Sequence, residues 1–169
     1  NRKDTSFINQ FTDPAMFGDL PKKEIWGIIE DDSTNLWMAT FWDGIIKFQR
    51  KDSVFVSITT DQGLPGNAIM SIEIDDDGFI WASTTQGLSR IDPHNYSIHN
   101  YDDEDGLVNL EFIEKSSFKD KDGWLYFGGR DGLTYFHPDS IKENKFIPPV
   151  YITGLTVDGN QKYFDKPLY

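Results

Sequence analysis

Chemistry in this chain would have to come mainly from carboxylates. The sequence holds 28 Asp and Glu against 16 Lys and Arg, with three His and no Cys. Without Cys there is no disulfide, no thiolate metal site and no cysteine nucleophile. Two acidic runs, Asp75-Asp76-Asp77-Gly78 and Asp120-Lys121-Asp122-Gly123, invite a calcium-loop reading. An EF-type loop needs Gly at position six and a bidentate Glu at position twelve. Position twelve is Gln86 counted from Asp75 and Asp131 counted from Asp120, and neither run has Gly at position six. Both runs read instead as turns between strands. A glycosidase pair needs two carboxyls about 5–9.5 Å apart, one with a raised pKa. These acids read as exposed turn residues, whose pKa stays low. His94, His99 and His137 stand at no metal-ligand spacing and beside no nucleophile motif. The residues therefore predict no catalytic group, no bound metal and no cofactor.

Recognition is better supplied. Phe41-Trp42-Asp43, Thr85-Gln86 and Arg130-Asp131 fall at equivalent places in a repeated pattern, in loops that should gather on one face. Aromatic, Arg, Asp and Gln side chains stack on and hydrogen-bond to sugars or peptides. Phe41, Trp42, Asp43, Gln86, Arg130 and Asp131 are thus the candidate ligand-binding residues. Trp42 is the most telling, because a loop Trp outside the repeat has no packing role in the pattern.

The repeat that positions these loops has a period of about 44 residues. Leu20-Pro21 aligns with Leu64-Pro65 and then with Leu107; five residues later stand Ile25, Ile69 and Phe112. An aromatic follows in each unit (Trp37, Trp81, Tyr126), then a Gly (Gly44, Gly87, Gly132) and an apolar residue (Ile45, Leu88, Leu133). A unit of this length suits four short strands and their turns, one blade of a β-propeller. The alternation in Ile69–Ile74 marks a strand, Asp75–Gly78 a turn, Phe79–Thr84 a second strand, Gly87 the next turn, and Tyr96–Tyr101 a fourth strand after Pro93. The first unit repeats this order over residues 25–59 and the third supplies three strands up to Phe136. Trp37, Trp81 and Tyr126 are expected to be buried between adjacent blades. The predicted fold class is all-β, a propeller fragment of about three four-stranded antiparallel blades leading into a β-sandwich strand.

At these residues the chain resembles the two-component regulator propeller repeat. The carriers are Gly63-Leu64-Pro65-Gly66-Asn67, Leu36-Trp37-Met38-Ala39-Thr40 and Ile80-Trp81-Ala82-Ser83-Thr84. Leu125-Tyr126-Phe127-Gly128-Gly129 resembles the strand of that family's closing blade. Pro148-Pro149-Val150-Tyr151-Ile152-Thr153-Gly154-Leu155 resembles the entry strand of the Y_Y_Y β-sandwich that follows such propellers. The units depart from the pattern in an extra residue before Gly44 and in Val108 where Pro would stand. The resemblance implies a periplasmic sensor region of a transmembrane signalling protein of the histidine-kinase type, which binds a ligand such as an oligosaccharide. The kinase or cyclase output lies outside this chain, so the segment itself is expected to be non-catalytic. The alternatives are a propeller-type polysaccharide hydrolase or lyase, and a protein-binding scaffold.

The pattern divides the chain into a last strand of a preceding blade with a linker (1–20), blades at 21–63 and 64–106, a closing blade at 107–146, and the start of the sandwich at 147–169. A net charge of −12 repels phosphate backbones and anionic membrane surfaces. No apolar run is long enough to span a bilayer. The expected partners are a carbohydrate ligand, the rest of the propeller and sandwich, and a second copy in the full protein as a homodimer. Neither nucleic acid nor direct membrane contact is expected.

Overall fold

A computed structural model of the chain describes residues 24–141, together with the backbone of two strands, Ile152–Val157 and Asn160–Leu168. The first sheet comprises β1 (Ile25–Glu30), β2 (Leu36–Thr40), β3 (Ile45–Gln49) and β4 (Val54–Ile58), hydrogen-bonded in sequence order. The second repeats it with β5 (Ile69–Ile74), β6 (Ile80–Thr84), β7 (Gly87–Ile91) and β8 (Ile98–Tyr101). The third holds β9 (Phe112–Lys119), β10 (Leu125–Gly129) and β11 (Gly132–Phe136). All neighbours within these sheets are antiparallel. The strands β12 (Ile152–Val157) and β13 (Asn160–Leu168) form an antiparallel hairpin. The last strand of a preceding blade expected within residues 1–20, and residues 147–151 of the expected sandwich entry, lie outside the described residues.

Each sheet is a meander, so its loops alternate between two ends. The β2–β3, β6–β7 and β10–β11 turns share one end with the long connections into β5 and β9; we call this the upper face. The β1–β2, β5–β6 and β9–β10 turns define the lower face. Backbone bonds tie each upper turn to the neighbouring incoming connection: Gly44 N–H donates to Asn67 O (2.9 Å), Gly87 N–H to Leu110 O (3.0 Å) and Arg130 N–H to Glu111 O (3.0 Å).

One strand is shorter than its sequence pattern suggests. Tyr96 reads as strand but sits in the preceding turn with φ +60. Asp92 causes this: its carboxylate accepts His94 N–H and the Asn95 side chain while its carbonyl accepts Tyr96 N–H, closing an Asx-type turn.

The core lies in the seams between sheets. Between the first and second sheets, Trp37, Ile45 and Ile58 pack with Ile69, Ile72, Ile80 and Ile91. Between the second and third, Trp81, Leu88 and Tyr101 pack with Phe112, Leu125 and Phe127. Trp37 and Trp81 are 0% and 1% exposed, as expected. Tyr126 departs from the expectation and is half-buried. The reason is geometric: each repeat aromatic is covered by the next sheet along the chain, and the third sheet has none beyond it among the described residues. Its outer face presents Phe118 at 62%, Tyr135 at 60% and Leu133 at 61% exposure. Tyr126 instead stacks with its cross-strand neighbour Tyr135, centroids 5.9 Å apart.

Candidate ligand-binding face

Each blade is locked from within by the first carboxylate of its lower turn. Asp31 Oδ2 accepts the Trp37 indole N–H (2.9 Å), Asp75 Oδ2 that of Trp81 (2.7 Å), and Asp120 Oδ2 the Tyr126 hydroxyl (3.0 Å). The other oxygen accepts two backbone N–H groups of the same turn: those of Ser33 and Asn35, of Asp77 and Phe79, and of Asp122 and Trp124. These acids are structural. Asp31 and Asp75 are buried, which corrects the expectation that all the turn carboxylates are exposed. Burial alone would raise the Asp31 pKa, but the bonds from Trp37 and Asn35 and the charge of Lys47 outweigh it and hold the carboxyl below its usual range. The sequence carried this signal as an Asp six positions before each repeat aromatic, a spacing the repeat alignment did not include.

Opposite Trp37 in the ladder stands Lys47, itself buried. Its ammonium lies 4.6 Å from the Trp37 ring centroid and 5.1 Å from that of Tyr96, and donates to Pro93 O (2.9 Å) in the second sheet. Three π and carbonyl partners plus Asp31 at 3.8 Å compensate its desolvation. The lower face is therefore committed to holding blades together. Among the described residues no group of three or more His, Asp or Glu could hold a metal ion.

The upper face carries the candidate binding residues. Phe41, Trp42 and Asp43 form the β2–β3 turn, whose N-terminal end is fixed by Thr40: its hydroxyl donates to Gly44 O (2.7 Å) and accepts Asp43 N–H (3.0 Å). Phe41 stacks on Trp26 of β1 at 4.3 Å with ring planes 27° apart, and Trp42 lies 4.4 Å from Phe41. Trp42 is 66% exposed. Lys115, on the inner strand of the third sheet, places its ammonium 5.9 Å from the Trp26 ring centroid. The result is a three-ring aromatic cluster, Trp26 stacked on Phe41 and Trp42 tilted 58° against it, with a cation at one end and an open indole, the platform, at the other. Trp26 was not legible as a site residue because its position reads as ordinary strand.

The other candidates share this face without joining the platform. Gln86 sits in the β6–β7 turn, its amide beside Gly66 (Nε2 3.1 Å from where a Cβ would be). Arg130 is exposed in the β10–β11 turn and pairs through Nε with Glu111 Oε2 at 3.2 Å. Asp131, next to it, is exposed. The structure thus unites Phe41 and Trp42 and holds Gln86 and Arg130 against their own neighbours.

The four-strand meanders, packed one on the next in chain order, and the aromatic in each seam define a β-propeller fragment. Residues 63–86 match the family model described as Two component regulator propeller, so the chain carries that repeat. Over 95 residues it is 33% identical to Histidine kinase P4 of Formosa agariphila, a match covering 56% of this chain and 7% of that protein. The extracellular domain of a putative hybrid two component system from B. thetaiotaomicron superposes with a TM-score of 0.70 at 26% identity. That match covers 98% of this chain and 22% of the other. A virginiamycin B lyase from Staphylococcus aureus superposes with a TM-score of 0.50 at 17% identity, covering 68% of this chain and 41% of the lyase, a likeness of fold alone. The chain is homologous to extracellular domains of hybrid two-component systems and spans a small part of the length of these relatives. No helix among the described residues is long and apolar enough to cross a membrane.

Proposed function

We propose that this chain is part of the ligand-binding region of a transmembrane sensor, periplasmic in location, and that the Trp26–Phe41–Trp42 platform receives an oligosaccharide. The observation that carries the reading is the exposed Trp42 indole, held by ring contacts on a turn that is itself anchored by Thr40. A rigid aromatic surface costs little ordering entropy when a pyranose ring stacks on it. The hydrogen-bonding groups of the same face, Gln86, Arg130 and Asp131, supply polar partners. The segment binds and does not turn over ligand; its signal passes on as a shift in packing between domains.

The test is tryptophan fluorescence of the chain titrated with a panel of oligosaccharides, with product analysis in parallel. The expected result is saturable quenching without turnover, lost in Trp42→Ala while the melting temperature stays unchanged. Product release would make it an enzyme. Quenching that survives Trp42→Ala would remove the platform from the site.

A further inference from the structure

The upper turns of the three sheets follow one plan, and the third lacks its pin. In the first two sheets the second strand ends on a fully buried threonine whose hydroxyl fastens the turn. Thr40 Oγ1 donates to Gly44 O and accepts Asp43 N–H. Thr84 Oγ1 donates to Gly87 O (3.0 Å) and accepts Gln86 N–H (2.9 Å). Thr84 pairs with Gly87 in the ladder as Gly129 pairs with Gly132, so the third sheet has a glycine in the threonine's place. Among the described residues, Asp131 N–H, the counterpart of Gln86 N–H, donates no hydrogen bond.

The space of the missing side chain is filled from the connection into β9. A Cβ on Gly129 would fall on the Asn109 side chain, nearest to Nδ2 and 2.8 Å from Oδ1. Asn109 is 5% exposed, and among the described residues neither of its amide atoms has a hydrogen-bond partner. The amide thus takes the pin's place without making its bonds, and an unpaired buried amide penalises the state that buries it. What holds the turn down is slight. Arg130 N–H donates to Glu111 O, and the side chains of the same two residues form an ion pair that is 76% and 59% exposed. Water replaces such contacts at little cost.

We propose that the β10–β11 turn, Arg130–Asp131, is a flap over a hydrogen-bonding subsite floored by Asn109, and that the subsite takes two adjacent hydroxyls of a pyranose ring. The inference rests on the reading of the upper face as an oligosaccharide site. An asparagine amide offers a donor and an acceptor side by side, the complement of two neighbouring hydroxyls. The bonds that the amide lacks under the shut turn are made only with the ligand. A buried polar group of this kind also gives selectivity, because an analogue without the hydroxyls leaves it unpaired.

The first test needs neither ligand nor substitution. In the 169-residue chain, amide hydrogen exchange read by NMR should be about tenfold or more faster at Asp131 N–H than at Gln86 N–H. Asn109→Gly combined with Gly129→Thr restores the pin and should bring the two rates together. Equal rates in the unaltered chain would overturn the flap. The second test titrates the chain with maltohexaose, xylohexaose and laminarihexaose, followed by tryptophan fluorescence. For a hexaose whose quenching is lost in Trp42→Ala, the Asn109 side-chain NH₂ resonances should shift on binding. Asn109→Ala should then weaken binding about fivefold or more with the circular dichroism spectrum unchanged. Binding that needs Trp42 but is indifferent to Asn109→Ala would overturn the subsite and leave the aromatic platform standing. If none of the three hexaoses binds, the sugar reading and the subsite fall together.

Discussion

Removing the Asp75 carboxylate should be among the most damaging single changes of polar character in the chain. Asp75 is 4% exposed and accepts three hydrogen bonds. A hydrogen bond to a charged group contributes about 1.5–3 kcal/mol, and a buried donor left unpaired costs about 1–3 kcal/mol. The Trp81 indole N–H is buried in the second seam and has no water to turn to, so its full penalty applies. The Asp77 and Phe79 N–H groups lie at a turn, where water replaces the carboxylate at roughly 0.5 kcal/mol each. Asp75→Ala should therefore destabilise by about 3–4 kcal/mol, lowering the melting temperature by about 10 °C for a chain of this size. Asp75→Asn should be nearly as harmful, since its NH₂ would face another donor. Asp120→Ala removes the same three bonds from an exposed turn, where the Tyr126 hydroxyl can turn to water, and should cost distinctly less. Urea unfolding followed by tryptophan fluorescence compares the three. Equal losses for Asp75→Ala and Asp120→Ala would refute the reasoning, because burial by the next sheet would then have no bearing on the strength of the latch.

Other expectations follow from single contacts. Gly87→Ala meets the Tyr101 carbonyl and a φ of +120 and should destabilise by about 3 kcal/mol in the same assay, whereas Gly132→Ala meets only the backbone strain and should cost less. Glu73 on β5 has its pKa raised by burial, against the opposing effects of its bond from Ser117 and the charge of Lys119. Its folded state thus binds a proton more tightly than the unfolded chain, and stability falls as pH rises through the folded pKa. Glu73→Gln keeps an acceptor for Ser117 without the charge, so it should be the more stable protein at neutral pH, with the gap closing below the ordinary value of 4.5; thermal melts across that range check it.

The strand order could be read directly because alternation and turn chemistry are local. Ile69–Ile74, Asp75–Gly78 and Gly87 each declare themselves within a few residues, and the structure places β5, its turn and β7 there. Burial is not local. Trp81 and Tyr126 hold one position in the repeat, yet only Trp81 is covered, because covering depends on a sheet about 45 residues further along. The recognition platform was half legible for a related reason. Trp42 stood out as an aromatic in a turn, but its support by Phe41 and Trp26 arises from the stacking of β1 behind the β2–β3 turn. The Asp latches were missed because acids in a turn have an adequate local explanation, and their second partner lies on the following strand.

The two seams differ at the inner strands, and the difference decides where each is pinned. At the first, Gly27 of β1 lies against Ile72 of β5, a contact without direction. At the second, Ser116 N–H donates to Ser71 Oγ (2.9 Å), Ser117 Oγ to Glu73 Oε1 (2.8 Å) and Lys119 Nζ to Asp76 Oδ1 (2.6 Å). Apolar surfaces tolerate small sliding at little change in energy, whereas directional bonds hold one register. The second seam is therefore pinned at its inner strands, and the first at β3, where Lys47 donates to Pro93 O (2.9 Å) and Gln49 to the Tyr96 hydroxyl (3.2 Å). A load on the Trp42 turn therefore passes to the second blade through β3 and the Gly44–Asn67 bond, and from there to the third through the inner strands.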